Sequence, residues 1–372
     1  MPQGPHYAIR LNLPTETDID VGALGAFSFP PGDYVYIGRA KSGFDARLSR
    51  HRRTDDKTIR WHVDYLRDRA RWVEARTPDT DSECALADRI ASLPGAERFI
   101  DGFGASDCRC KGHLVRLSDP TTDLPGPLWS GDGVRAHFVE RPNRFIVRAD
   151  LTTGETVRAY LPNTSRLTEL LEGEPEMLLE PNDDATRSTD YTVRRIWDGV
   201  WVSVEATVAE QMVEQWLERH RGLPEIGAVD TWSRQETHDD HRFDFLLQYN
   251  NSDDLWLEVK SLSRCFDGDA ILSGTPSRRA VAHLESLGDL AESGTRAALA
   301  FVLQRPDPRR LLIGEGPDSA EVNQDWIASV RRARDRGVTV LAFRCRVTPT
   351  NAWLAEPIPV LDVGENHDRP TG

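Results

Sequence analysis

The chain has 372 residues, 39% hydrophobic and 28% charged, a balance able to bury two or three domain cores. It holds no apolar run long enough to span a membrane, no signal-peptide pattern at Met1 and an odd five cysteines. These features argue against a membrane protein and a disulfide scaffold, and predict a cytoplasmic one. Acidic residues number 60 against 46 basic ones, a net charge of −14, and only Lys41, Lys57, Lys111 and Lys260 are lysines. Codon bias favours Arg over Lys but does not demand an acidic excess, so the preferred reading is a halophilic protein of high-salt cytoplasm.

The charge is unevenly placed. Residues 1–133 carry 18 basic and 20 acidic side chains, whereas residues 134–372 carry 28 and 40. A Pro/Gly/Asp/Thr-rich stretch at 118–133 reads as a linker between the two. The expected layout is an α/β domain over 1–117, a small β-barrel over 134–204, an α/β domain over 205–362 and a tail over 363–372.

In the first domain, Tyr7–Leu13 and Asp33–Gly38 read as strands. Phe44–Arg53, Ile59–Arg69 and Ser82–Ser92 read as helices. Tyr36-Ile-Gly38 is followed nine residues later by Arg47, and His51 lies one helical turn beyond it on the same face. Residues 47–62 form the densest basic stretch, with Arg50, Arg53 and Lys57 as candidate phosphate contacts. Cys108, Cys110 and His113, with Cys84, invite a metal reading. The C-x-C spacing instead favours packing and hydrogen bonding near the active face, with a reactive thiol as a weaker alternative.

In the barrel, Arg144–Asp150 and Thr156–Leu161 read as a hairpin turned at Thr153-Gly154. Arg141, Arg144 and Arg148 interleave with Phe145, which suits phosphate contact beside a stacking ring. A solvated basic face fits this pattern equally well.

The last domain reads as helix Val208–Arg219, strands Arg242–Gln248 and Leu255–Ser261, helix Arg278–Leu290, strand Ala297–Gln304, helix Asn323–Arg336 and strand Val338–Arg344. Alternation puts Glu258 and Lys260 on one face, with Leu257 and Val259 in the core. It also puts Phe243, Phe245 and Leu247 together, opposite Asp244. A hairpin would then converge Asp244 and Glu258 on one Mg²⁺ or Mn²⁺, with Glu236 completing the shell. Lys260 would orient water or stabilise charge on phosphorus in phosphodiester hydrolysis. A surface ion pair is the plain alternative.

From about Arg141 to Pro357 the chain resembles the sugar fermentation stimulation protein A family. The segments that carry this are Arg141-Pro-Asn-Arg-Phe145, Leu161-Pro-Asn-Thr-Ser-Arg166, Arg242-Phe-Asp-Phe245, Leu257-Glu-Val-Lys-Ser261, Arg279 with His283-Leu284, and Arg336-Gly337-Val338. The resemblance implies an OB-like barrel, a PD-(D/E)XK nuclease-like domain and DNA binding, with Asp244, Glu258 and Lys260 on the motif and Arg166 on the binding side. It departs at Leu272-Ser-Gly-Thr275, where Gly274 replaces an acidic residue, and at Arg187-Ser-Thr189.

Residues 5–117 resemble the GIY-YIG nuclease superfamily, in its Uri-like branch. Here the carriers are Tyr36-Ile-Gly38, Trp61-His-Val-Asp-Tyr65, Phe103-Gly-Ala-Ser-Asp-Cys-Arg-Cys110 and His113-Leu114. By that resemblance Tyr36 would position or deprotonate water, Arg47 would neutralise the scissile phosphate and Glu83 would hold Mg²⁺. His51 would shuttle a proton, and Tyr7 would stand for the first tyrosine, although no Gly-Ile-Tyr occurs. The expected function is a metal-dependent endonuclease acting on DNA. The alternatives are a non-catalytic DNA-binding regulator and an RNA-processing nuclease.

Overall fold

The computed structural model describes residues 6–54, 57–120, 122–126, 129, 133–182, 188–250, 253–272, 278–314 and 324–363. The departures at Gly274 and Arg187 lie outside these. The chain divides into two compact units between Gly133 and Val134, with Thr348–Asn351 counted in the first.

The first unit is an antiparallel sheet of β1 (His6–Leu13), β2 (Gly32–Arg39), β3 (Arg71–Arg76), β4 (Ala96–Arg98) and β5 (Leu114–Leu117), in the order β3-β1-β2-β5-β4. Every residue of β1 is buried, because both faces of the sheet are covered. Tyr7, Ile9 and Leu11 of β1 and Tyr34 and Tyr36 of β2 pack against α1 (Phe44–Arg52) and α2 (His62–Arg69). Ala8, Val35 and Ile37 pack on the other face against α3 (Glu83–Ala91). The period-two alternation of two central strands thus fixes which face carries the tyrosines. Helix α2 begins at His62, three residues later than expected. Asp64 turns back to accept from the backbone N–H of Arg60 and Trp61, at 2.9 and 3.1 Å, which caps the helix there.

The second unit begins with β6 (Val134–Asn143), β7 (Ile146–Leu151), β8 (Thr156–Tyr160), β9 (Glu176–Pro181), β10 (Tyr191–Trp197) and β11 (Trp201–Ser203). Their order is β8-β7-β6-β9-β10-β11, and a parallel pairing of β8 with β10 closes five of them into an OB-like barrel. Gly154 (φ 92°) makes the β7–β8 turn where expected.

Helix α4 (Val208–His220) leads into a six-stranded sheet: β12 (Thr231–His238), β13 (His241–Gln248), β14 (Leu255–Leu262), β15 (Arg296–Leu303), β16 (Thr339–Val347) and β17 (Ala352–Pro357), in that order. The middle strands β14, β15 and β16 run parallel. Helix α4 covers one face, and α5 (Arg278–Glu292) and α6 (Gln324–Asp335) cover the other. Among the described residues, no helix is long and apolar enough to cross a membrane.

The expected alternation of β13 fails at one point. Phe245 and Leu247 enter the core under α4, but Phe243 enters the opposite core with Leu284 and Leu287 of α5. The ladder between β13 and β14 runs from Leu247↔Leu255 to Phe245↔Leu257. Beyond it, the Asp244 carboxylate accepts the Val259 N–H at 2.8 Å in place of a strand carbonyl. A side chain substituting for the backbone lets the strand turn its next residue to the other face.

Candidate active sites

In the first unit, β1 and β2 set two tyrosines on one face. Ile9 pairs with Tyr36 and Tyr7 pairs with Gly38, leaving the rings 6.4 Å apart. A Cβ on Gly38 would meet the Tyr7 hydroxyl at 2.6 Å, so only glycine leaves room for that ring. Helix α1 brings His51 over the pair, with Nε2 3.1 Å from the Tyr7 hydroxyl. Its Nδ1 lies 3.5 Å from Asp64 Oδ1 on α2. With Nδ1–H toward the carboxylate, Nε2 accepts the Tyr7 O–H.

Sequence reasoning gave Asp64 no role, although it stands in the quoted Trp61–Tyr65 segment. It is fully buried and is the hub of the region. Burial pushes its carboxyl up, but hydrogen bonds from His51, Arg50 and two backbone N–H groups outweigh this and hold it far below the carboxylate range. Arg50 grips it through two nitrogens at 3.1 and 3.2 Å, and Lys57 Nζ lies 3.2 Å away. Arg50 and Lys57, both expected as phosphate contacts, are thus engaged with Asp64. Arg53, by contrast, is exposed.

Burial lowers the His51 imidazole below its ordinary range, keeping it neutral, while Asp64 opposes the shift. Burial pushes up the Tyr7 phenol, against the pull of Arg47, and raises the Tyr36 phenol well above its ordinary range, with the charges of Tyr7 and Glu83 adding to it. Arg47 and Arg50 both stack over Trp61, at 4.7 and 4.2 Å. Glu83 begins α3 and lies 3.3 Å from Arg39; burial raises its carboxyl. Arg47 and Glu83 thus both act on the Tyr7 and Tyr36 phenols, and His51 joins them through the Tyr7 hydroxyl.

In the second unit, Glu258 of β14 is 2% exposed. Its Oε1 lies 2.7 Å from His283 Nδ1 of α5 and also accepts from Lys260. Arg279 Nε in turn donates to His283 Nε2 at 3.3 Å. Burial pushes the Glu258 carboxyl up, but His283 and Lys260 hold it below its ordinary value. Asp244 behaves oppositely, raised to about 6 by burial and then by the charge of Glu258. Glu236 lies on β12, paired in register with Phe243. The carboxylate linked to Asp244 is Glu210 of α4, through Gln235 Nε2, which donates to Glu210 at 2.8 Å and Asp244 at 3.3 Å.

Among the described residues, Glu258 Oε2 is buried without a hydrogen-bond partner. A buried, ionised oxygen left so is costly unless a cation meets it. The donor set of Glu258 and the adjacent Asp244 is hard oxygen, which fits Mg²⁺, Mn²⁺ or Ca²⁺.

On the barrel, Arg141 folds back to donate to the carbonyls of Arg144 (2.7 Å), Asn163 (3.1 Å) and Arg166. It braces a loop instead of presenting a free cation. Arg148 pairs with Glu140 at 2.9 Å. Phe145 stays 41% exposed, stacked on Tyr160, with Arg144 5.9 Å over its ring. Arg166, six residues after Tyr160, is exposed.

Comparison with known proteins agrees with this division. Residues 6–125 match the domain of unknown function DUF123, 139–204 the SfsA N-terminal OB domain and 207–351 the sugar fermentation stimulation protein RE domain. A sugar fermentation stimulation protein homolog of Chloroflexus aurantiacus is 35% identical over 236 residues, covering 63% of this chain and 88% of that protein. Its counterpart in Chloroflexus aggregans is 33% identical over 228 residues, covering 61% and 85%. The solved structure of Pyrococcus furiosus SfsA in complex with Ca²⁺ shares the fold, with a TM-score of 0.51 and 20% identity over 62% of this chain and 96% of that one.

Proposed function

The chain belongs to the sugar fermentation stimulation protein family and carries a GIY-YIG-like domain ahead of it; from that premise we propose that it is a DNA-binding, divalent-cation-dependent endonuclease of DNA repair or processing. The observation that carries this reading is the buried, unpartnered Glu258 Oε2 beside Asp244. That the related Pyrococcus furiosus protein was solved with Ca²⁺, a hard divalent cation, supports it.

In the second unit Asp244 and Glu258 would hold the cation, and in the first unit Glu83 would. When bound, the cation supplies a water of lowered pKa and polarises the phosphoryl group. His283 and Lys260 fix the Glu258 carboxylate, and the Lys260 ammonium answers negative charge developing on phosphate oxygens. In the first unit, neutral His51 takes the Tyr7 proton at Nε2 as the Tyr7 oxygen takes one from the attacking water, and Asp64 stabilises the imidazolium. Arg47 neutralises the scissile phosphate. On the barrel, Phe145 and Tyr160 offer a stacking platform with Arg144 and Arg166 beside it. The formal −14 does not oppose DNA binding in molar salt, where charges are screened beyond about 3 Å and close contacts decide.

The test is a cleavage assay in molar KCl with Mg²⁺ or Mn²⁺ on single-stranded, duplex and branched DNA and on RNA. Glu258→Ala and Glu83→Ala are run separately. Cation-dependent DNA cleavage, reduced by at least one substitution, is the expected result. DNA binding without cutting by the wild type supports the regulatory reading, and preferential cleavage of RNA supports the RNA-processing one.

A further inference from the structure

Cys84 is the second residue of α3, whereas Cys108, Cys110 and His113 lie 24 to 29 residues later, in the irregular loop before β5. The fold brings one ligand atom from each to within 4.8 Å of all the others. His113 Nε2 lies 3.7 Å from Cys84 Sγ and 3.6 Å from Cys108 Sγ, and the sulfurs of Cys108 and Cys110 are 3.2 Å apart. A tetrahedron with about 2.3 Å to sulfur and about 2.0 Å to nitrogen has edges of roughly 3.5–3.8 Å. The two sulfur–nitrogen distances match such edges.

We propose that Cys84, Cys108, Cys110 and His113 form a closed, structural Zn²⁺ site in the first unit. Three soft thiolates and one imidazole select Zn²⁺ over the hard cations suited to carboxylates. Four protein ligands leave no open position for substrate, so the ion ties elements together and does no chemistry. The C-x-C spacing, unusual for such sites, is accommodated because an irregular loop, free of a regular rise per residue, wraps both sulfurs toward His113.

What the ion ties together is the wall of the candidate active site. Cys84 follows Glu83 directly, and His113 O accepts the N–H of Ile37, the residue after Tyr36, at 2.9 Å. His113 N–H donates to Phe103 O at 2.7 Å, and Gly104 N–H donates to His62 Nδ1 at 2.9 Å. Gly104 (φ +72°) lies so close that a Cβ would stand 2.8 Å from the Tyr36 ring. A zinc clamp would hold Glu83 and this loop in fixed positions around Tyr36.

Elemental analysis of the full-length protein, expressed with zinc and dialysed, tests this. The result expected is one zinc per chain, retained by Cys265→Ser, a half-buried cysteine of the other unit, and lost from Cys108→Ser. Wild-type protein stripped of metal and refilled with Co²⁺ gives a second readout that does not depend on the folding of Cys108→Ser. Intense visible bands of tetrahedral cobalt with thiolate charge transfer are expected. Zinc-free protein, iron in its place, a disulfide within the group, or a pale octahedral cobalt spectrum would each overturn the site.

Discussion

Around Asp64 of the first unit, a buried carboxylate is met by Arg50, Lys57 and His51. Around Glu258 of the second, one carboxylate oxygen is held by Lys260 and His283 while the other is buried with no partner among the described residues. The first carboxylate is met on both oxygens within the protein and suits moving a proton between fixed groups. The second is incomplete and suits holding a cation. The same residue type, a buried acid on a regular element, is thus turned to two purposes by what surrounds it.

Breaking the incomplete site has the largest expected effect. Glu258→Gln keeps the shape but removes the charge, and Mn²⁺ affinity, read by calorimetric titration, falls by more than about 100-fold, beyond the range typical of losing an outer hydrogen-bond partner. In the complete site, Tyr7→Phe keeps the ring but removes the proton carrier. Single-turnover cleavage by the first unit, isolated in a Glu258→Gln background, falls by about 10²–10⁴.

Asp64→Asn sharpens the contrast from the side of stability. It leaves Arg50, Lys57 and His51 without their anion, and the chemical denaturation midpoint drops with a loss of about 3–5 kcal/mol. The pH dependence has a fixed sign. The Asp64 and His51 pKa values are both lowered in the folded state, so their contribution is full above the ordinary values of 3.8 and 6.5 and is lost as pH falls through the folded ones. Thermal melts should show stability declining from about pH 6.5 downward, and a first unit equally stable at pH 4 and 8 would contradict the account. On the barrel, Phe145→Ala should weaken single-stranded DNA binding by about 1–3 kcal/mol in fluorescence titrations. Arg141→Ala should lower the melting temperature more than it lowers affinity.

The placement of Tyr36, Arg47, Glu83, Glu258 and Lys260 on their strands and helices was legible in the sequence because each sits in a short motif on a well-patterned element. Asp64, Glu210 and His283 gained no role there, since their partners lie on other elements and only packing brings them together. Strand β12 was missed because its sequence, Thr-Trp-Ser-Arg-Gln-Glu-Thr-His, lies at a sheet edge and lacks apolar alternation. The face reversal at Phe243 was invisible because a carboxylate bonding to a neighbouring strand leaves no mark in hydrophobic periodicity. Arg141 read as a phosphate contact because charge patterns record where a guanidinium is, but not the carbonyls that fold it back.

The most direct test of two cation-dependent centres on one chain is DNA cleavage by the Glu83→Ala/Glu258→Ala double variant in molar KCl with Mn²⁺, set against each single variant. Each single variant should retain cleavage, with different products, and the double variant should have none. A double variant that cuts DNA at the wild-type rate would contradict this.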